Sequence, residues 1–268
     1  MQADGGGHPE ETLSANAQRK GDIVLKKAGA WSDAVIALLR HLERVGFGGA
    51  PRVLGDGYAP DGRMTLTYVP GESAHPGAWP EGTVERIGEL LRGLHDATAG
   101  FVPDPKLEWW PTWMREVGDD DLVIGHGDAS PWNIVGLEMR PSALIDWDFA
   151  GPVSRLTELA YAVWLNAQLH DDDIAQRQHL PEAVVRAGQA HQIMDGYRLP
   201  TSQRAALVDR MIEVAVQSAR HEAISGGVTP DSTSAVAADG YPTLWAITWR
   251  TRSAAWMLRN RRLLIQGR

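Results

Sequence analysis

Three oxygen-bearing side chains fall close together in the middle of the chain. Asp128 stands in His126-Gly127-Asp128, Asn133 follows five positions later, and Asp146 opens Asp146-Trp147-Asp148. A carboxylate can take a proton. An amide oxygen and a second carboxylate are hard donors of the kind Mg²⁺ accepts, with the rest of its shell coming from water and phosphates. Phosphoryl transfer needs these parts, because it depends mainly on positioning and on neutralising charge on oxygen. The pattern assigns Asp128 to receive the proton of an acceptor hydroxyl and Asn133 and Asp146 to hold metal ions that bridge phosphates. His126 reads as a brace for the loop.

Such side chains need a frame. Leu122-Val123-Ile124 is a short buried strand, and Ile134-Val135-Gly136-Leu137 and Ala143-Leu144-Ile145 predict two strands joined by a turn around Arg140-Pro141-Ser142. That hairpin would bring Asn133, just before it, beside Asp146, just after it. Alternation in an extended segment puts Asp148 on the same side as Asp146. Upstream, residues 22–27 read as a strand and residues 31–45 as a helix whose apolar face is Val35, Leu38, Leu39 and Leu42. Strands are expected over 52–54 and 64–69. Helix 83–97 follows, with Val84, Ile87, Leu91 and Leu94 on one face and His95 as a hydrogen-bonded packing histidine. Residues 1–20, with Gly5-Gly6-Gly7, read as a flexible end or a loose hairpin. Beyond Glu158 the chain is mostly helical. The order predicts an α+β fold, a small β-rich part over 1–69 and a mostly helical part over 70–268, divided at the Pro/Gly-rich stretch after Val69.

Composition narrows the function classes. The chain has 268 residues, a formal net charge of −8, 43% hydrophobic and 22% charged residues. That is a soluble globular mix with no basic stripe for nucleic acid. The absence of cysteine excludes disulfides, thiolate metal sites and cysteine nucleophiles. No apolar run approaches the ~20 residues of a membrane span, and the polar, Gly-rich start lacks a secretory apolar core, so a cytoplasmic protein is expected. Eleven tryptophans stand out. Trp109, Trp110 and Trp113 are candidates for an aromatic acceptor pocket suited to a flat ring or a cation. Trp245, Trp249 and Trp256, at helical intervals, are expected to pack one face of the last helix. Asp119-Asp120-Asp121 and Asp171-Asp172-Asp173 read as solvated loop charges, and Arg155 and Glu158 as a pair that steadies the metal loop.

His126-Gly127-Asp128-Ala129-Ser130-Pro131-Trp132-Asn133, followed by Ile145-Asp146-Trp147-Asp148, resembles the aminoglycoside phosphotransferase family, which is related to choline kinase and carries a protein-kinase-like fold. The resemblance extends through Ala50 to Gly55, Tyr68-Val69-Pro70-Gly71-Glu72 and Leu91-Arg92-Gly93-Leu94-His95, and covers roughly residues 20–165. It implies a two-lobed kinase fold, ATP bound at the hinge with GTP as the alternative nucleotide, Mg²⁺, and transfer of the γ-phosphate to a small-molecule hydroxyl. On this resemblance Asp128 is the catalytic base, Asn133 and Asp146 are metal ligands, and Thr67, Tyr68 and Val69 are the hinge beside adenine. Lys26 reaches the α/β-phosphates, with Lys27 as competitor because a one-residue slip turns a strand side chain to the other face. The family's helix glutamate is replaced by Val35, with Asp33 and Glu43 the nearby acids, and Gly5-Gly6-Gly7 is the sole glycine run for a phosphate loop.

The resemblance implies an antibiotic such as an aminoglycoside as acceptor. A metabolic kinase acting on choline, an amino alcohol or a sugar is the runner-up. The rival from another class is a non-catalytic binding or immunity protein, which the missing glutamate and weak glycine loop support and the intact acid–amide–acid set opposes.

Overall fold

The computed structural model describes residues 11–118, 121–237 and 240–267. An N-terminal antiparallel sheet has five strands: β1 (Glu11–Ser14), β2 (Ala17–Lys20), β3 (Ile23–Lys26), β4 (Val53–Tyr58) and β5 (Met64–Thr67), in the order β1-β2-β3-β5-β4. The part of the predicted loose hairpin that is described is thus β1–β2. Gly5-Gly6-Gly7 lies outside the described residues. Strand β3 pairs with β5 in the register Ile23↔Thr67 to Lys26↔Met64. Helix α1 (Ser32–Arg44) buries Val35, Leu38, Leu39 and Leu42, the face read from the sequence. It ends at Val45 and Gly46, where Gly46 has φ +79°.

The helical region follows. Helix α2 (Glu85–Thr98) buries Ile87, Leu91, Leu94 and His95 and packs on α5 (Ala183–Gly196). Helix α3 (Arg155–Asn166) is buried over most of its length, and α6 (Arg204–Ser225) and α7 (Thr243–Arg259) form the most extensive helix pair. Two short helices, α4 (Asp172–Arg177) and α8 (Arg261–Gln266), complete the set among the described residues. One continuous apolar core runs from Leu38 of α1 through Leu91, Val163 and Met211 to Trp256. No helix among the described residues is long and apolar enough to cross a membrane.

Between α2 and α3 lie two small antiparallel ladders. Strand β6 (Leu122–Gly125) pairs with β9 (Gly151–Ser154), and β7 (Ile134–Val135) pairs with β8 (Ala143–Leu144). The connections 126–133 and 145–150 leave these ladders side by side, tied where the Ile145 N–H donates to the Asn133 carbonyl at 2.9 Å. The predicted hairpin is present. Its connection carries a 3₁₀ turn at Leu137–Met139, where Glu138 and Met139 take positive φ.

Candidate active site

His126 is fully buried, and its two ring nitrogens do different jobs. Nε2 donates to the Ile145 carbonyl at 2.9 Å, while Nδ1 accepts the Asp128 N–H at 3.2 Å. Burial lowers the pKa of this imidazole, in keeping with a neutral ring that fastens the two loops together. Gly127 has φ +77°, and a Cβ there would lie 2.1 Å from the Phe149 carbonyl oxygen, so only glycine lets the loops approach this closely.

Glu158 of α3 completes the brace from below. Its Oε1 accepts the Gly127 N–H at 2.7 Å, and its Oε2 lies 2.6 Å from Nε2 of His95, whose Nδ1 is 2.7 Å from the Tyr197 hydroxyl. Burial alone would push the Glu158 carboxyl up, but His95 and the Gly127 N–H outweigh it and hold the group below its ordinary value. The expected Arg155–Glu158 pair does not form. Arg155 reaches Asp121 at 3.0 Å instead, because Glu158 faces inward on the helix toward His95.

On this platform Asp128 accepts a hydrogen bond from the Tyr161 hydroxyl at 2.8 Å and one from Nδ2 of Asn133 at 2.7 Å. Burial raises its pKa, opposed mainly by the Tyr161 bond. Because Nδ2 of Asn133 points to Asp128, the amide oxygen of Asn133 is left for a cation. Asp146 takes a left-handed backbone (φ 62°) at the head of a 3₁₀ turn, Trp147–Phe149, and its side chain is 52% exposed. The turn, and not strand alternation, is what brings Asp148 round to the same side.

Lys26 is 5% exposed and Lys27 points to solvent, so β3 presents Lys26 to the cleft. Its Nζ contacts Asp146 and lies 3.0 Å from Asp148, which also accepts the Trp31 indole N–H at 3.0 Å. Val35 is buried in the core, and Asp33 is engaged by the Tyr58 hydroxyl at 2.6 Å. Asp148, not a helix glutamate, therefore holds the lysine from behind.

A cleft of about 370 Å³ opens above these groups. Its walls include Lys26, Thr67, Tyr68, Val69, Asn133 and Asp146, and Asp128 adjoins it through Asn133. Strand β5 ends at Thr67, so Tyr68 and Val69 belong to the following segment, where the Tyr68 N–H donates to the Asp22 carbonyl at 2.7 Å. The roof is the β1–β2 turn, with Ser14 and Asn16 on the cleft. Sequence reading missed this roof, whose signal is a small-polar turn instead of a glycine run. It also missed Tyr161, which sits one helical turn after Glu158. A larger groove of about 550 Å³, beside α1 and residues 101–107, contains none of these side chains.

A second cavity, of about 410 Å³, lies beyond Trp132, which lines both. It is walled by Pro131, Gln168, Trp245, Trp249 and Arg250 among others. Three expectations change here. Trp110 packs edge-on against Trp31 and Phe149, and Trp113 against Tyr161, so these indoles buttress the loops. Trp256 is buried, but Trp245 and Trp249 face the cavity, and their helix α7 is followed by α8. Asp171 and Asp173 are paired with Arg252 because α7 brings its arginines onto α4, and Asp172 is paired with Arg186 of α5; Asp119 and Asp120 lie outside the described residues.

The phosphotransferase enzyme family matches residues 103–199, which hold Asp128, Asn133 and Asp146. A trifolitoxin immunity protein of Rhizobium leguminosarum bv. trifolii is 49% identical over 247 residues, 92% of each chain. Among solved structures, a choline/ethanolamine kinase family protein from Mesorhizobium loti aligns over 97% of this chain and 91% of its own, with a TM-score of 0.60 and 16% identity. An amicoumacin kinase in complex with AMP-PNP, Ca²⁺ and its ligand Ami aligns over 91% and 87%, with a TM-score of 0.63 and 13% identity. These two likenesses are likenesses of fold.

Proposed function

This chain belongs to the phosphotransferase enzyme family, and we propose that it is an ATP- and Mg²⁺-dependent kinase that phosphorylates a hydroxyl of a small molecule. The observation that carries this reading is the gathering of Asn133, Asp146 and Lys26 on one cleft, with Asp128 hydrogen-bonded to Asn133. Residues 1–69 supply the nucleotide side and 70–268 the acceptor side, with Thr67 to Val69 beside the base. The donor set suits Mg²⁺. Among the described residues no three acidic or histidine side chains converge, which leaves an amide oxygen, one carboxylate and the phosphates as ligands.

Each residue then has a task. The Asp128 carboxylate takes the proton of the acceptor hydroxyl as its oxygen bonds to the γ-phosphorus, and the bond from phosphorus to the β-phosphate oxygen breaks to release ADP. Tyr161 and Asn133 fix the carboxylate for that transfer. Lys26, steadied by Asp148, meets the phosphates. Bound metal would neutralise the phosphate oxygens. The second cavity, divided from the first by Trp132, is the place for the acceptor.

The immunity protein's name adds a biological direction. Phosphorylating the hydroxyl of a toxin in the cytoplasm would disarm it, as an antibiotic-resistance enzyme does. The same name favours the binding-protein reading, in which the ligand is sequestered and nothing is transferred. A thermal-shift titration separates nucleotide users from pure binders. Mg·ATP at 100 times its Kd should stabilise the fold by ~2.7 kcal/mol, and more than ATP with EDTA. No shift at millimolar Mg·ATP would sink the kinase.

A further inference from the structure

The wall chemistry of the 410 Å³ cavity speaks to what it holds. Trp132 and Trp245 are 39% and 46% exposed, a large aromatic surface to leave facing an opening. His75 meets Trp132 edge-on at 5.4 Å, and Trp249 rests between Trp164 at 5.4 Å and His170 at 5.5 Å, so these rings are held in place. Among the described residues that line it there is no carboxylate. Arg250 is neutralised by Glu222 at 2.7 Å and lies 4.5 Å over the Trp249 ring. Burial pushes His170 down to about 4, leaving it uncharged at neutral pH.

Gln168 adds a polar direction. It is 5% exposed and its Nε2 donates to the Gly77 carbonyl at 2.6 Å, but its Oε1 has no partner among the described residues. A buried amide oxygen is costly unless something donates to it; this one is closed to solvent as it stands, so a ligand in the cavity reaches it by turning the Gln168 side chain that lines the wall.

We infer that this cavity takes a neutral, flat aromatic or heteroaromatic hydroxyl compound, stacked on the indoles and donating a hydrogen bond to Gln168, and not a polycation. This rests on the phosphotransferase reading for why a hydroxyl is presented, and the wall chemistry carries the rest. An aminoglycoside-like polycation would find an ion-paired arginine and, among the described lining residues, no carboxylate to answer its ammonium groups. A flat ring would find three indoles, each worth more in an offset or edge contact than its area alone. Trp132 also carries the link to chemistry, since it lines both this cavity and the cleft that holds Asn133 and Asp146.

The test is calorimetric titration of the full chain with indole-3-ethanol and with kanamycin, with and without Mg·AMP-PNP. Indole-3-ethanol is expected to bind with the nucleotide analogue present and to bind more tightly than kanamycin. Trp245→Ala should weaken it about tenfold and Gln168→Leu about fivefold. Trp245 is half-exposed, so its variant keeps the fold, and Mg·AMP-PNP affinity should be unchanged in both. Tighter binding of kanamycin, displacement of indole-3-ethanol by the analogue, no detectable binding of indole-3-ethanol, or unchanged affinity in both variants would each overturn the inference. Failure of the kinase reading looks different: Mg·ATP would neither bind nor turn over, while the two probes would still report the preference of the cavity.

Discussion

The two sides of the 370 Å³ cleft are built on opposite plans. Below it, the 126–133 and 145–150 loops are held by buried, fully partnered groups: His126 on Ile145, Glu158 on Gly127 and His95, Asp128 between Tyr161 and Asn133. Above it, the β1–β2 hairpin is largely exposed, carries no glycine, and the lysine beneath it is held by Asp148 from the 145–150 loop. The floor fixes the reacting groups in place, whereas the roof is joined to the chemistry by one ion-paired side chain. On the proposed function, precision is concentrated around the carboxylate that would take the proton, and the lysine that would meet the nucleotide hangs from that same floor.

That contrast can be broken most forcefully at Asp128. Asp128→Ala is expected to cut phosphate transfer by about 10²–10⁴-fold while leaving Mg·ATP affinity near wild type, read by ADP release and by thermal shift. Because burial raises the Asp128 pKa, the acid limb of the wild-type rate profile should lie above the ordinary carboxylate value, with activity lost as pH falls through it. A variant that still transfers phosphate at the wild-type rate would show that the floor is mere scaffold.

Glu158→Gln tests the brace itself. Disrupting a buried pair should cost about 3 kcal/mol, read as a lower urea midpoint. The native carboxyl lies below its ordinary value, so its stabilisation is present above that ordinary range and is lost as pH falls through the depressed native one. Wild type and variant should therefore converge in stability in acid, and a constant gap across pH would contradict the assignment.

The smallest effect belongs to the roof's tether. Asp148→Asn should weaken Mg·ATP about tenfold, the worth of one charge-assisted hydrogen bond, whereas Lys27→Ala should change nothing. If Lys27→Ala weakened nucleotide and Asp148→Asn did not, the tether would run through the other face of β3.

What could be read from the sequence divides along the same line. The floor announces itself locally: Asp128, Asn133 and Asp146 are set by a short hairpin whose apolar strands and flanking polar residues are adjacent in the chain. The faces of α1 and α2 were equally plain, because their apolar spacing is a local signal. Strand β9 was not visible, since Gly151 and Pro152 are poor strand formers, tolerated here in a two-stranded ladder. Nor were the long-range partners. Lys26 meets Asp148 from 122 positions away, and Trp245 reaches the cavity only through the packing of α7 on the rest of the helical region. No spacing encodes such meetings.

Among the described residues Trp132 alone lines both cavities, and that has an evolutionary consequence. Substitutions at Trp245, Trp249 or Gln168 alter one cavity without touching Lys26, Asn133 or Asp146. Descendants of such a chain can change what the second cavity admits while inheriting the proposed transfer groups unaltered, and a single indole marks the border between the two.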